Sequence, residues 1–285
     1  MLRPFLAAAV AGFAGSSFAD DTPDKSHYNL LSPTPRPFMR EMDTDRPDKT
    51  ETPFTVDAGH FQIESDLVAF EHDHDTSAGA NTKSDAWSFV TLNLKAGLCN
   101  FSDFQLVLAP YSRIASHDRI TAQTSTQSGF GDILTRIKIN LWGNDNGSSA
   151  LAVMPFAKWP TSQDKLGNNA IEGGIIFPWA VELPAGFGLG GMAEFDWFQD
   201  STATGYHPEF VNTITLSHNI IGKLGGFIEF ASEVSAAKDA PWVGTFDFGF
   251  AYAFTPDLRL DAGAYIGVTK SAPDIAPFVG MSVRF

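Results

Sequence analysis

The sequence has one cysteine, few charged residues and no long hydrophobic run. Because Cys99 is the only cysteine among 285 residues, no disulfide can form within the chain. Charged side chains make up 18% of the residues, and the formal net charge is −14. No internal stretch of about 18 apolar residues is present, which excludes a helical membrane protein. The negative charge makes nucleic acid an unsuitable partner.

Aromatic and apolar residues are abundant. Hydrophobic residues make up 44% of the chain and aromatic residues 13%, including 25 phenylalanines. This composition excludes an intrinsically disordered chain. A fold that is rich in β-strands is therefore the remaining expectation.

The first 19 residues have the organisation of an export signal. Arg3 supplies a positive start, residues 5–15 are mostly apolar, and Ser17-Phe18-Ala19 provides small residues for a cleavage site. The alternative, a short buried N-terminal helix, lacks a helix cap and an amphipathic period. We therefore expect export of the chain, with a mature protein that begins at Asp20.

Residues 20–56 are rich in proline, which breaks helices and central strands. The segment carries charges of both signs and has little to bury. We predict that it folds into the interior of the following domain as a plug, and the alternative is a solvated periplasmic tail. The charged plug candidates are Asp45, Arg46, Asp48, Lys49 and Glu51.

From residue 57 to 285, polar and apolar residues alternate in short segments. In residues 131–141, for example, Ile133, Ile137 and Ile139 alternate with charged residues such as Arg136 and Lys138. A period of two is typical of a β-strand with two different faces. We count about twelve such segments, most of them long enough to cross a bilayer as a tilted strand. They are residues 57–70, 86–98, 104–114, 130–142, 150–159, 171–183, 187–198, 209–221, 226–236, 242–254, 258–268 and 277–285.

A membrane barrel and a soluble sandwich would both produce this alternation. Two features favour the barrel. Short connections alternate with mostly longer polar ones, such as residues 71–85 and 115–128, as in bacterial outer-membrane proteins. Five of the six tryptophans fall at the ends of predicted strands, where they suit the membrane interfaces. We therefore predict an all-β fold, a transmembrane antiparallel up-and-down β-barrel of about 12 strands in residues 57–285.

Several motifs resemble a known family. The stretch from Thr44 to Glu64, the sequence Gly129-Phe130-Gly131-Asp132 and the segment 155–161 are similar to the proteobacterial outer-membrane transporter family described as "putative MetA-pathway of phenol degradation". The final Phe285 is similar to the C-terminal signal that the outer-membrane assembly machinery reads. The resemblance implies a porin-like channel in the outer membrane of a Gram-negative bacterium, linked to aromatic compounds.

If the apolar face meets lipid and lipopolysaccharide, the charged residues of the strands point into the lumen. Acidic groups outnumber basic ones there, which favours cations or neutral solutes over anions. The alternative is that opposite charges pair and fill a narrow barrel. The lumen candidates are Glu64, Asp66, Lys95, Arg113, Asp132, Arg136, Lys138, Lys158, Glu172, Glu194, Asp196, Glu229, Glu233, Asp247, Arg259 and Asp261.

Enzymatic and metal chemistry find little support in the sequence. No histidine accompanies a nucleophile motif such as G-x-S-x-G, so we predict no enzyme and no cofactor. His72 and His74 could reach a divalent cation in an extended loop, but an acidic external loop explains them equally well. We predict a channel for passive uptake of small neutral or aromatic solutes. The alternative is a narrow, non-conducting barrel with a structural or surface-interaction role.

Overall fold

The computed structural model describes residues 24–76, 79–145, 147–200 and 205–285, so the expected export signal lies outside the described residues. Two 3-10 helices, Arg36–Phe38 and Pro184–Gly186, are present in this part of the chain. No helix among the described residues is long and apolar enough to cross a bilayer. The strands are Phe61–Asp75 (β1), Thr82–Cys99 (β2), Ser102–Leu108 (β3), Tyr111–Asp118 (β4), Gln123–Gly129 (β5), Ile133–Trp142 (β6), Ser149–Trp159 (β7), Glu172–Leu183 (β8), Phe187–Gln199 (β9), Tyr206–Ile221 (β10), Leu224–Ser235 (β11), Val243–Thr255 (β12), Leu258–Gly267 (β13) and Ile275–Arg284 (β14).

The strands close into a barrel. Each strand pairs with its neighbours in antiparallel fashion, and β1 pairs with both β2 and β14, which leaves the sheet without a free edge at this seam. β3 and β4 both pair with β2, so they are two parts of one wall strand. β5 and β6 form another, because they pair with β4 and β3 respectively. Over the described residues the wall therefore has twelve strands, which confirms the predicted fold.

The two faces of the wall differ in polarity. Along β12, Phe246, Phe248 and Phe250 are exposed on the outside, whereas Thr245 and Asp247 are buried. Exposed apolar residues and buried polar ones are the reverse of the arrangement in a soluble protein. They fit a barrel that contacts lipid with its outer surface. The alternative of a soluble sandwich is therefore wrong.

Two predicted external loops are mostly strand. Residues 115–128 were expected to form a loop, but β4 continues to Asp118 and β5 begins at Gln123. Similarly, β1 continues to Asp75 and β2 begins at Thr82, within the predicted loop 71–85. These extensions are rich in serine, threonine, glutamine and charged residues, so they have no apolar face to reveal a strand. The backbone pairs there nevertheless, as threonine-rich sequences readily do.

Four neighbouring strands are interrupted side by side. Leu67 and Val90 have no partner in the β1–β2 ladder, and Val90 has a φ of 55°. The gap between β3 and β4 and the gap between β5 and β6 lie next to them in the wall. An unpaired residue inverts which positions face inward, because successive side chains point to opposite faces. Lys95 thus faces inward on one side of Val90, and Ser88 does so on the other side.

Candidate functional site

The barrel interior is crossed by the proline-rich segment, whose charged residues contact the wall. Asp45 lies between two buried lysines. Lys138 Nζ is 2.5 Å from Asp45 Oδ1, and Lys95 forms an ion pair with Asp45 Oδ2. Lys95 also forms an ion pair with Glu64, whose carboxylate accepts a hydrogen bond from the Asp45 backbone N–H. These charges are nearly inaccessible to solvent. Burial of this kind is tolerated only when each charge has an opposite partner.

Arg46 is held by two carboxylates and one aromatic ring. Its guanidinium nitrogens lie 2.6 Å from Asp66 Oδ1 and 2.7 Å from Asp261 Oδ1. Its Cζ lies 5.4 Å from the centre of the Phe278 ring, a cation–π contact. Gly280 makes room for this side chain, because a Cβ at that position would overlap the guanidinium. Arg46 therefore connects β1, β13 and β14.

Residues 48–51 contact the opposite side of the wall. The backbone N–H groups of Lys49 and Thr50 donate to the Glu229 carboxylate at 3.0 and 2.9 Å. These groups have no sheet partner, so a side-chain acceptor satisfies them. Lys49 Nζ donates to Thr245 Oγ1 at 2.8 Å and lies 3.6 Å from Asp247. Asp48 contacts Thr215, and Glu51 lies 2.5 Å from Arg136.

Two cavities remain beside the segment. One, of about 190 Å³, lies in the half of the barrel nearer the long loops and is lined by Tyr265 and Phe278. The other, of about 580 Å³, lies toward the short turns and is lined by small residues such as Ala180 and Ala251. Residues 46–49, here called the tip, contact the walls of both cavities.

A second set of ion pairs joins the segment to the short turns of the barrel. Lys25 Nζ lies 2.6 Å from Asp145, in the turn after β6, and Arg36 lies 2.8 Å from Asp257, in the turn after β12. Arg284 also contacts Asp257, at 2.9 Å. We call these contacts the latch.

The latch aspartates are stabilised in their charged form. Burial alone would raise the pKa of both Asp145 and Asp257. Hydrogen bonds from Lys25 and Asn100 outweigh burial and lower the pKa of Asp145. Hydrogen bonds from Arg36 and Arg284 have the same effect on the pKa of Asp257.

The predicted lumen residue Arg259 donates hydrogen bonds to Thr44 Oγ1 at 3.3 Å and to the Met42 carbonyl at 3.0 Å. Apart from Arg113, the remaining predicted lumen residues form two groups near the long loops. Lys158 joins Asp132, at 3.2 Å, to Glu172, at 2.6 Å. The second group is acidic and has no basic partner within 4 Å among the described residues. It comprises Glu194, Asp196 and Glu233, together with Glu209, which lies opposite Asp196.

Arg113 does not join the other lumen candidates. It lies opposite Trp87 in the β2–β4 ladder, and both side chains are exposed on the outer face. The interruption between β3 and β4 explains the difference. The odd-numbered positions Asp103 and Gln105 are buried inside, whereas the odd-numbered Tyr111 and Arg113 are exposed outside.

Sequence reasoning did not identify Tyr265 and Phe278 as lumen residues. Tyr265 and Asp261 both occupy odd-numbered positions of β13, so the alternation places both side chains on the inner face. The predicted lumen residues were all charged, so the list included neither aromatic ring. Phe278 is 5% exposed, and its ring lies over Gly263, where a Cβ would come within 2.7 Å of it.

The two histidines proposed for metal binding have other partners in the hairpin. His72 Nδ1 lies 2.6 Å from Asp85 Oδ1, and His74 Nε2 lies 2.9 Å from Asn81 Oδ1. No group of three or more metal-binding side chains occurs in the described ranges.

The apolar belt, the closed wall and the polar interior define an outer-membrane β-barrel protein of a Gram-negative bacterium. The sequence profile of the family "Putative MetA-pathway of phenol degradation" matches residues 44–285. The chain belongs to this family. No curated protein matches the sequence significantly.

Solved structures share the fold at low sequence identity. The chain is similar to the COG4313 outer membrane channel from Pseudomonas putida F1, with a TM-score of 0.62, 12% identity, and coverage of 85% of this chain and 100% of that one. The translocator domain of the autotransporter NalP from Neisseria meningitidis has a TM-score of 0.53 and 12% identity, covering 79% and 88%. The NanC porin has a TM-score of 0.50 and 9% identity, covering 78% and 98%.

Proposed function

We propose that the protein is a passive channel for small solutes across the outer membrane, and that these solutes are neutral or aromatic. The observation that carries this proposal is the pair of cavities on either side of the tip. They leave space inside the barrel on both sides of residues 46–49. A solute could therefore pass if the tip moved, without any change in the wall.

The charge of the interior supports the choice of solute. Carboxylates exceed basic groups on the inner face, and the acidic group near the long loops has no basic partner within 4 Å in the described part of the chain. Such a surface repels anions and tolerates neutral solutes. The family description, which refers to phenol degradation, supports an aromatic solute.

Swelling of liposomes that contain the mature protein tests this function. Graded sugars and small phenolic compounds would be supplied outside, with empty liposomes as the control. We expect swelling with the small neutral solutes and a sharp decline as solute size increases. Absence of swelling with every solute would favour the alternative of a non-conducting barrel. The many ion pairs inside the lumen are the observation that supports this alternative.

We further propose that residues 20–56 are a plug that restricts this path. Its contacts with β1, β2, β6, β11, β12 and β13 support this role. Deletion of residues 20–50 should raise single-channel conductance, because it removes the tip and also Asp45, which pairs with Lys95 and Lys138 of the wall. The heat-dependent migration of the barrel on gels would establish that the variant is folded. Unchanged conductance in a folded variant would contradict the plug.

The outer surface also implies partners. We propose that lipopolysaccharide surrounds the outer half of the apolar belt. The assembly machinery would recognise β14 through Phe285, whose side chain is 59% exposed. Neither interaction requires an enzymatic activity of the barrel.

A further inference from the structure

The smaller cavity has an aromatic wall. The rings of Tyr265 and Phe278 lie 4.8 Å apart, centre to centre, and are inclined by 40°. Three alanines, Ala69, Ala86 and Ala276, and Phe70 also line the cavity. Because alanines occupy these inward positions, the space in front of the two rings stays open.

The cavity has the size of one aromatic ring. Its volume is about 190 Å³. A cavity of about 150 Å³ in another protein holds benzene, so a single six-membered ring with one small substituent fits here. Two rings at a tilt offer both a face and an edge, which is the arrangement that a third ring prefers.

The charges at the cavity select against anions. Asp66 and Glu71 both contribute to the lining. Asp66 is already paired with Arg46, whereas Glu71 has no ion pair within 4 Å in the described ranges. A ligand carboxylate would be repelled by Glu71, but a hydroxyl could donate a hydrogen bond to it.

The same two rings hold the tip. Lys49 Nζ lies 4.7 Å from the centre of the Tyr265 ring, and the Tyr265 hydroxyl donates to the Pro47 carbonyl at 3.0 Å. Arg46 lies over Phe278. A ligand in the cavity would therefore contact the side chains that position residues 46–49.

We propose that this cavity is a binding site for a single uncharged aromatic ring that carries a hydroxyl group. The site lies on the long-loop side of the tip. It captures the ring against Tyr265 and Phe278 beside the tip. This inference rests on the proposed channel function, but equilibrium binding does not require passage, so the two can fail separately.

Calorimetric titration of the full mature protein in detergent tests the site, with benzyl alcohol and benzoate as probes and protein-free micelles as the blank. We expect saturable binding of benzyl alcohol and at least tenfold weaker binding of benzoate. Ala86→Leu fills the cavity and should abolish the binding of benzyl alcohol. Phe278→Leu should weaken it about fivefold, because it removes one ring but keeps an apolar side chain.

Ala251→Leu is the matched control, because it introduces the same side chain into the larger cavity and leaves the smaller one unchanged. It should leave benzyl alcohol affinity unchanged. If Ala86→Leu does not fold, Ala276→Leu replaces it. Absence of saturable binding, equal binding of benzoate, or loss of binding in Ala251→Leu but not in Ala86→Leu would overturn the site. Binding without liposome swelling would instead contradict the channel function alone.

Discussion

Among single residues, Asp45 has the most demanding surroundings. Two buried lysines share its carboxylate, and Glu64 is the other acidic group that contacts Lys95. Such an arrangement contributes little net stability compared with an apolar filling. Removal of one member, however, leaves a buried charge without compensation. Asp45 therefore fixes the position of the segment more than it stabilises the barrel.

We expect Asp45→Asn to loosen the segment and to raise single-channel conductance. The loss of one carboxylate between Lys95 and Lys138 should lower the stability of the packed segment by about 3 kcal/mol. Asp43→Asn is the control, since Asp43 forms no ion pair within 4 Å in the described ranges. Planar-bilayer recordings of both variants measure the effect. Equal conductance in the two variants would contradict this role of Asp45.

At the scale of elements, the latch determines how the segment enters the barrel. Its ion pairs are partly exposed, so each contributes about 1 kcal/mol or less. Together they connect the chain before the tip to two turns that are far apart in sequence. The latch therefore acts through several weak contacts, and no single one of them is expected to be essential.

The latch should open in acid. The pKa values of Asp145 and Asp257 are lowered from the ordinary 3.8. A lowered pKa in the folded state stabilises the latch above the unfolded pKa, and this contribution is lost as the pH falls through the folded pKa. We expect an intact latch from pH 7 down to about pH 4 and release below that value.

A spin label on the exposed Ser32, in a Cys99→Ser background, would report this change. Its mobility should be constant between pH 7 and about pH 4 and should increase at lower pH. The double variant Asp145→Asn and Asp257→Asn should show the mobile spectrum already at pH 7. Increased mobility of the parent between pH 7 and pH 5 would show that other groups control the segment.

The sequence predicts a strand correctly where its polar and apolar residues alternate in step with the inner and outer faces of the barrel. β6, β9 and β12 lie close to their predicted ranges, because lipid on one side and polar groups on the other impose a period of two. The ends of β4 and β5 extend beyond the apolar belt, where the pattern carries no signal. The position of Arg113 depends on the interruption of its strand and on the unpaired Val90, which simple alternation does not reveal.

At the scale of the whole molecule, the interior is a balance of charges that the segment completes. Its removal would free both carboxylates and bases of the wall from their partners on the segment. The acids include Asp66, Glu229, Asp247 and Asp261, and the bases include Lys95, Arg136 and Lys138. The acidic group near the long loops is a further source of negative charge on the wall. The segment itself has more acidic than basic residues, so its removal does not add negative charge to the interior. The wall that remains nevertheless has an excess of carboxylates, and their charge is no longer offset by Arg46 and Lys49.

We expect the variant without residues 20–50 to prefer cations, because a pore with fixed carboxylates concentrates counter-ions and repels anions. The reversal potential in a potassium chloride gradient measures this preference. Adding Glu209→Gln and Glu233→Gln to the deletion should reduce it, since these residues lie in the acidic group. Asp274→Asn, in the loop before β14, is a control that should have little effect. Anion preference would mean that Lys95 and Lys138, which lose Asp45 in this variant, and not the carboxylates, determine the potential along the path.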